Sequence, residues 1–219
     1  HGPLLTVRLN RPNSWNALNH EMRSELAEVW NDFRESDALE VAIFTGAGRG
    51  FCAGEDMKES LQDGAPGGRK PARPDPFMDG TLEKPVIAAV NGFAMGGGFM
   101  LVERTDLRVA ARGALFEISE AKRWLLGGYN HGHIANLPYP IAMEMAMGFR
   151  FTAERFYELG CVNRLVDPDD LIPAALEIGE HLLTLPPASR TTTCHPDGPP
   201  RTARVESVSR GTRHTRHES

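Results

Sequence analysis

The chain has 219 residues, 41% of them hydrophobic and 24% charged. That is enough to bury a substantial core, and no apolar run approaches the roughly 20 residues a membrane-spanning helix needs. With 24 basic and 29 acidic residues the formal net charge is -5, which supplies no global field for gripping nucleic acid. Cys52, Cys161 and Cys194 form no CxxC pair, so the composition speaks against a disulfide framework or zinc knuckle and for a reducing, cytoplasmic setting.

In chain order, Leu5, Val7 and Leu9 alternate with polar residues, which predicts a half-buried strand ended by Arg11-Pro12-Asn13. The opening HGPLLTVRLNRP has no targeting signature, and with no initiating Met the first strand is expected to begin upstream of His1. From Asn19, Met22, Leu26, Val29, Trp30 and Phe33 recur at helical spacing and predict an amphipathic helix. Leu39 to Phe44 reads as a strand running into TGAGRG, and Pro85 to Val90 and Leu107 to Ala110 read as two more. The proline- and glycine-dense stretch from Gln62 to Asp79 reads as a surface loop. Pro140 to Met147 and Ala153 to Leu159 are predicted helices, and Cys161 to Val166 a strand. Asp167-Pro168-Asp169-Asp170 is read as the cap of a helix from Leu171 to about Leu185. From Thr191 to Ser219 periodicity ceases, so the reading divides the chain into a domain over 1–190 and an atypical tail over 191–219.

Two glycine-flanked segments carry candidate chemistry. TGAGRGF is a poor dinucleotide loop, because the third glycine of that fingerprint falls on Phe51. FCAGED and NGFAMGGGF each precede a predicted helix whose first amides point outward and attract negative charge. If the two converge, one amide from each can hold a developing oxyanion. Taken singly, each run needs no more than a tight turn or close helix packing.

The segments RLNRPNSWNALN, VAIFTGAGRGFCAGEDMKE, KPVIAAVNGFAMGGGFML, DLRVAARGALFEISEAK and AMEMAMGFRFTAERFYELGCVNRLV together resemble the crotonase (enoyl-CoA hydratase/isomerase) superfamily from about Leu5 to about Arg190. The resemblance implies an α/β fold, a spiral of repeated strand-strand-helix (ββα) units with outer helices. It also implies an acyl-CoA substrate, with no metal and no separate cofactor because coenzyme A arrives within the thioester, and a homotrimer or dimer of trimers. It places the oxyanion-hole amides on Ala53 and Gly97 and the acid/base on Glu120. Ala17, Cys52, Asp56 and Lys58 become candidates for the CoA path, although Lys58 reads equally as a surface charge and Asp56 as a turn or cap residue.

Three departures bear on the reaction. Hydratases of the superfamily use two glutamates, and the first of those positions is Met100 here, which neither accepts a proton nor polarises water. Glu103, three residues on, would leave the helix one turn further along. The sequence therefore points to single-glutamate, isomerase-like chemistry on Glu120 rather than two-glutamate hydration. Where the family reads GGTQRL, this chain has LLGGYNHGHIANLP, so Tyr129, Asn130, His131 and His133 become candidate acyl contacts, the two histidines being wrongly spaced for one helix face of a metal site. The tail lacks the family's closing helices and reads like a replaced or out-of-frame terminus. Two rival readings follow, a catalytically weak acyl-CoA-binding homologue and a nucleic-acid-binding tail built on Arg201, Arg204, Arg210, Arg213 and Arg216, which lacks the interleaved aromatics such binding uses.

Overall fold

A computed structural model describes residues 2–63, 71–123 and 137–194, with the side chains of 63, 123 and 191–194 outside the description. Strands β1 (Leu4–Leu9), β2 (Val41–Gly46), β4 (Val86–Val90), β6 (Leu107–Ala111) and β9 (Arg164–Val166) form one sheet in the order β1-β2-β4-β6-β9, every neighbour parallel. A second sheet holds β3 (Gly50–Cys52), β5 (Phe93–Met95), β7 (Leu115–Glu117) and β8 (Arg150–Thr152), parallel except for β8. The chain thus visits the sheets in turn: β2 then β3, β4 then β5, β6 then β7. Helices α2 (Met57–Asp63) and α3 (Gly97–Glu103) follow the first two pairs. This is the expected spiral of ββα units.

Parallel strands need both faces covered, and the residue alternation provides for it. Ala42 and Phe44 of β2 face the core between the sheets, whereas Val41 and Ile43 face α6 (Leu171–Thr184), which contributes Leu171, Ala175 and Ile178. Gly179 lets the helix lie close on the sheet there, since an added Cβ would come within 2.9 Å of Leu4 Cδ2 and displace that side chain.

Helix α1 (His20–Glu35) begins where its sequence says it should. Asn19 is the N-cap and its side chain accepts from the Met22 amide. Trp30 and Phe33 are fully buried, and Trp30 stacks on Phe77 at 4.8 Å between ring centroids and meets Phe44 edge-on at 5.3 Å. That contact corrects the loop read over Gln62 to Asp79. Phe77 belongs to the core, fixed by Asp75, whose carboxylate accepts from the Phe77 and Met78 amides. Residues 64–70 of the same stretch lie outside the described residues.

Helices α4 (Tyr139–Ala146) and α5 (Ala153–Glu158) match the predicted spans, and Glu144 of α4 is clamped by both terminal nitrogens of Arg155, in a packing role. The acidic run before α6 forms a short 3-10 turn over Pro168–Asp170, and Asp170 makes no side-chain capping bond, unlike the expected cap. Helix α7 (Pro187–Cys194) runs four residues past Arg190, where the periodicity was expected to fail. Arg190 itself is buried, ion-paired with Glu40, and donates to the Leu182 carbonyl. No helix among the described residues is long and apolar enough to cross a membrane.

Candidate active site

Strands β3 and β5 are parallel neighbours, with Gly50 opposite Phe93 and Cys52 opposite Ala94. Their following loops therefore emerge side by side from the same end of the sheet. A Cβ added to Gly54 would stand 2.6 Å from the Met95 carbonyl oxygen and 3.2 Å from the Gly97 nitrogen. One added to Gly98 would stand 2.3 Å from the Cys52 carbonyl oxygen. The glycines thus let the Ala53–Gly54 and Gly96–Gly97 backbones touch, which is the convergence that the oxyanion reading of the two runs requires. Gly96 takes φ 50°, and its amide donates to the Glu117 carbonyl at 2.8 Å. Gly97 is the first residue of α3, where a helical amide has no acceptor within its own helix.

The Ala53 amide has a resting partner, the Trp15 carbonyl at 3.0 Å. Trp15 and Asn16 both occupy the left-handed region, at φ 54° and 55°, which is costly for residues with a Cβ. Asn16 holds that conformation in place: its fully buried side chain accepts from the Arg11 amide and donates to the Ala47 and Gly50 carbonyls, all at 2.9 Å. From there the chain runs along the first loop, the Leu18 amide donating to the Gly54 carbonyl and the Asp56 amide to that of Leu18. Arg11, Trp15 and Asn16 were not singled out as site residues from sequence. The signals were a break of strand at Arg11-Pro12 and the place of all three in the RLNRPNSWNALN segment, and nothing in a tryptophan announces left-handed backbone.

Of the residues expected along the CoA path, Ala17 is buried and its carbonyl accepts from Arg11 Nη1 at 2.6 Å. Cys52 is fully buried, and burial pushes its thiol up to about 12, so the thiol is neither exposed nor ionised near neutral pH. Lys58 is exposed. Asp56 accepts from the Lys58 amide at 3.2 Å, as a turn residue does, and pairs with Arg11 at 3.1 Å. Burial alone would raise the Asp56 carboxyl, but the Arg11 guanidinium and the Glu59 and Lys58 amides outweigh it and hold the group below its ordinary range. A depressed carboxyl stabilises the fold above its unfolded pKa, and that contribution fades as pH falls through the folded value. Asp56→Asn is accordingly expected to be less stable than wild type at pH 7 by about 1 kcal/mol or less. Denaturant midpoints measured at successively lower pH should converge.

Glu120 follows β7, and its carboxylate borders the second loop: a Cβ added to Gly96 would lie 3.3 Å from Glu120 Oε1 and 3.0 Å from Ser119 Oγ. Three residues earlier, the buried Glu117 is paired with Lys122 at 3.2 Å and Arg150 at 3.0 Å, which fastens both ends of the turn that presents Glu120. Met100 is half-buried in the first turn of α3, its amide donating to Gly96. Glu103 ends that helix, six residues or about 9 Å of rise from Gly97. It is buried beside the Arg104 and Arg108 guanidiniums, whose positive charge it supports. Tyr129, Asn130, His131 and His133 lie outside the described residues. Among the described residues no group of three or more His, Cys, Asp or Glu is placed to hold a metal ion.

The fold that carries these two loops is similar to that of solved enoyl-CoA hydratases. The chain is similar to the crystal structure of enoyl-CoA hydratase from Mycobacterium tuberculosis, with TM-score 0.78 and 36% identity over 88% of this chain and 77% of that one. Among curated relatives it is 36% identical over 192 residues to enoyl-CoA hydratase EchA19 of Mycobacterium tuberculosis, covering 82% of this chain and 71% of the relative. It is 39% identical over 197 residues to carnitinyl-CoA dehydratase of Citrobacter koseri, covering 85% and 74%. Residues 2–195 match the enoyl-CoA hydratase/isomerase family model, and the chain belongs to that family of acyl-CoA enzymes.

Proposed function

We propose that the protein moves a proton through a thioester enolate, with Glu120 as its single acid/base and the Ala53 and Gly97 amides as the oxyanion hole. The observation that carries this reading is the convergence of the Ala53–Gly54 and Gly96–Gly97 backbones beside the Glu120 carboxylate. Glu120 takes a proton from carbon, the charge moves onto the thioester oxygen between the two amides, and the proton returns to another carbon of the chain. The Ala53 amide is held by Trp15 before substrate arrives, so the thioester oxygen must share or replace that acceptor.

The relatives named as hydratase and dehydratase speak for adding or removing water, whereas Met100 speaks for a double-bond shift. Purified protein supplied with matched 2-enoyl-CoA and 3-enoyl-CoA thioesters decides between them. Isomerisation is expected to exceed hydration, and Met100→Glu is expected to raise hydration by about 100-fold, the worth of one positioned acid/base. Efficient hydration by the wild type would overturn the single-glutamate mechanism. The engaged Ala53 amide favours a second reading, a weak acyl-CoA-binding homologue, which binding without either turnover would establish. The setting proposed is cytoplasmic, supported by the free, buried Cys52 and Cys161, and the assembly a homotrimer or dimer of trimers, supported by exposed Tyr139, Met147, Phe149 and Tyr157.

A further inference from the structure

Beside the two loops lies an open pocket of about 590 Å³, lined by residues of α1, the segment 71–79 and α3 together with Leu18. Leu18, Leu26, Met78 and Leu101 give it an apolar wall. Leu18 is common to both places, because its Cδ1 would stand 3.5 Å from a Cβ added to Gly97, and Leu101 directly follows Met100. The cavity is thus placed to receive whatever extends from a thioester held at the loops.

One charge in that wall is left over. Arg23 lines the cavity, its Nε is buried without a hydrogen-bond partner, and it makes no ion pair among the described residues. The other charged groups of the wall have their own partners. Arg73 reaches Glu35 at 3.5 Å; Asp75 accepts from two backbone amides; Asp79 accepts from the Thr81 amide at 3.0 Å and hydroxyl at 2.7 Å. Both aspartates also lie within the electrostatic reach of the half-buried Arg104. A wholly aliphatic acyl chain would desolvate the Arg23 guanidinium further and offer it nothing. A carboxylate offers it charge and a two-pronged acceptor.

We propose that Arg23 and this cavity form a subsite for the far end of an acyl chain that bears its own carboxylate, so that the preferred substrates are CoA thioesters of dicarboxylic acids. The inference rests on the acyl-CoA reading of the loops given above.

The test is the affinity of the full chain for two unreactive thioesters of equal carbon count, glutaryl-CoA and valeryl-CoA, measured by calorimetry. Glutaryl-CoA is expected to bind about tenfold more tightly or better, the worth of a charge-assisted hydrogen bond. Arg23→Met should bring the ratio of the two affinities toward one, and Arg23→Lys should keep part of it. Equal affinities in the wild type, or a ratio that Arg23→Met leaves unchanged, would overturn the subsite. Turnover of the matching unsaturated thioesters is followed separately. A binding preference without turnover would sustain the subsite and overturn the enzymatic reading, whereas turnover of both chains with equal affinities would do the reverse.

Discussion

Replacing Glu120 by Gln is expected to lower kcat for the double-bond shift by about 100- to 10,000-fold, the range lost with a positioned acid/base. Gln keeps the volume and one carbonyl oxygen of the side chain but cannot carry the proton between carbons. The turn that presents residue 120 is fastened by Glu117, Lys122 and Arg150, none of which depends on the substituted group. The loss is therefore expected in kcat, with KM nearly unchanged, because thioester binding relies on the loop amides and the cavity. Solvent deuterium incorporated into recovered substrate should vanish in parallel. A variant retaining wild-type kcat would remove Glu120 from the mechanism.

The largest effect on stability is expected at Trp30. Truncation to Ala removes a fully buried ring that touches Phe33, Phe44 and Phe77 at centroid distances of 6.2, 5.3 and 4.8 Å, and a cost of about 3–5 kcal/mol follows from the lost contacts and the cavity left behind. Trp30→Phe makes the informative comparison. The indole Nε1 is buried with no hydrogen-bond partner among the described residues, so Phe keeps an aromatic face for Phe77 while deleting an unsatisfied donor. Its cost should be well under half that of Ala in urea denaturation. Because Phe77 docks the segment 71–79 onto the core by stacking on Trp30, Trp30→Ala should also loosen that segment, seen as faster amide exchange there.

The long elements were legible because their residue patterns repeat often enough to be counted. Asn19 followed by five apolar residues at helical spacing gave α1, and PVIAAV gave β4. The second sheet was not legible strand by strand: β3, β5, β7 and β8 have three residues each, too few for alternation to show, and β3 begins with glycine. Phe77 was lost inside a stretch whose prolines and glycines dominated the reading, although a single aromatic is enough to dock a turn onto a core. At the site, the glycines announced the loops, but their convergence depends on strand order, which no local pattern contains. Arg23 read as one more polar residue on an amphipathic helix, and only the structure shows its buried Nε without a hydrogen-bond partner among the described residues.

The way α6 covers the first sheet bears on how the protein is made. Leu4 in the first strand packs against Gly179 near the other end of the chain, and Val41, Ile43, Ile87 and Val109 share that cover. During synthesis the outer face of these strands therefore waits, uncovered, until about 170 further residues have been added after Leu4, an interval of roughly ten seconds or more at ribosomal rates. Pairings so distant along the chain also make for slow folding from the denatured state. A nascent chain halted before Leu171 should present this apolar sheet to chaperones, and release of the helix should end that engagement.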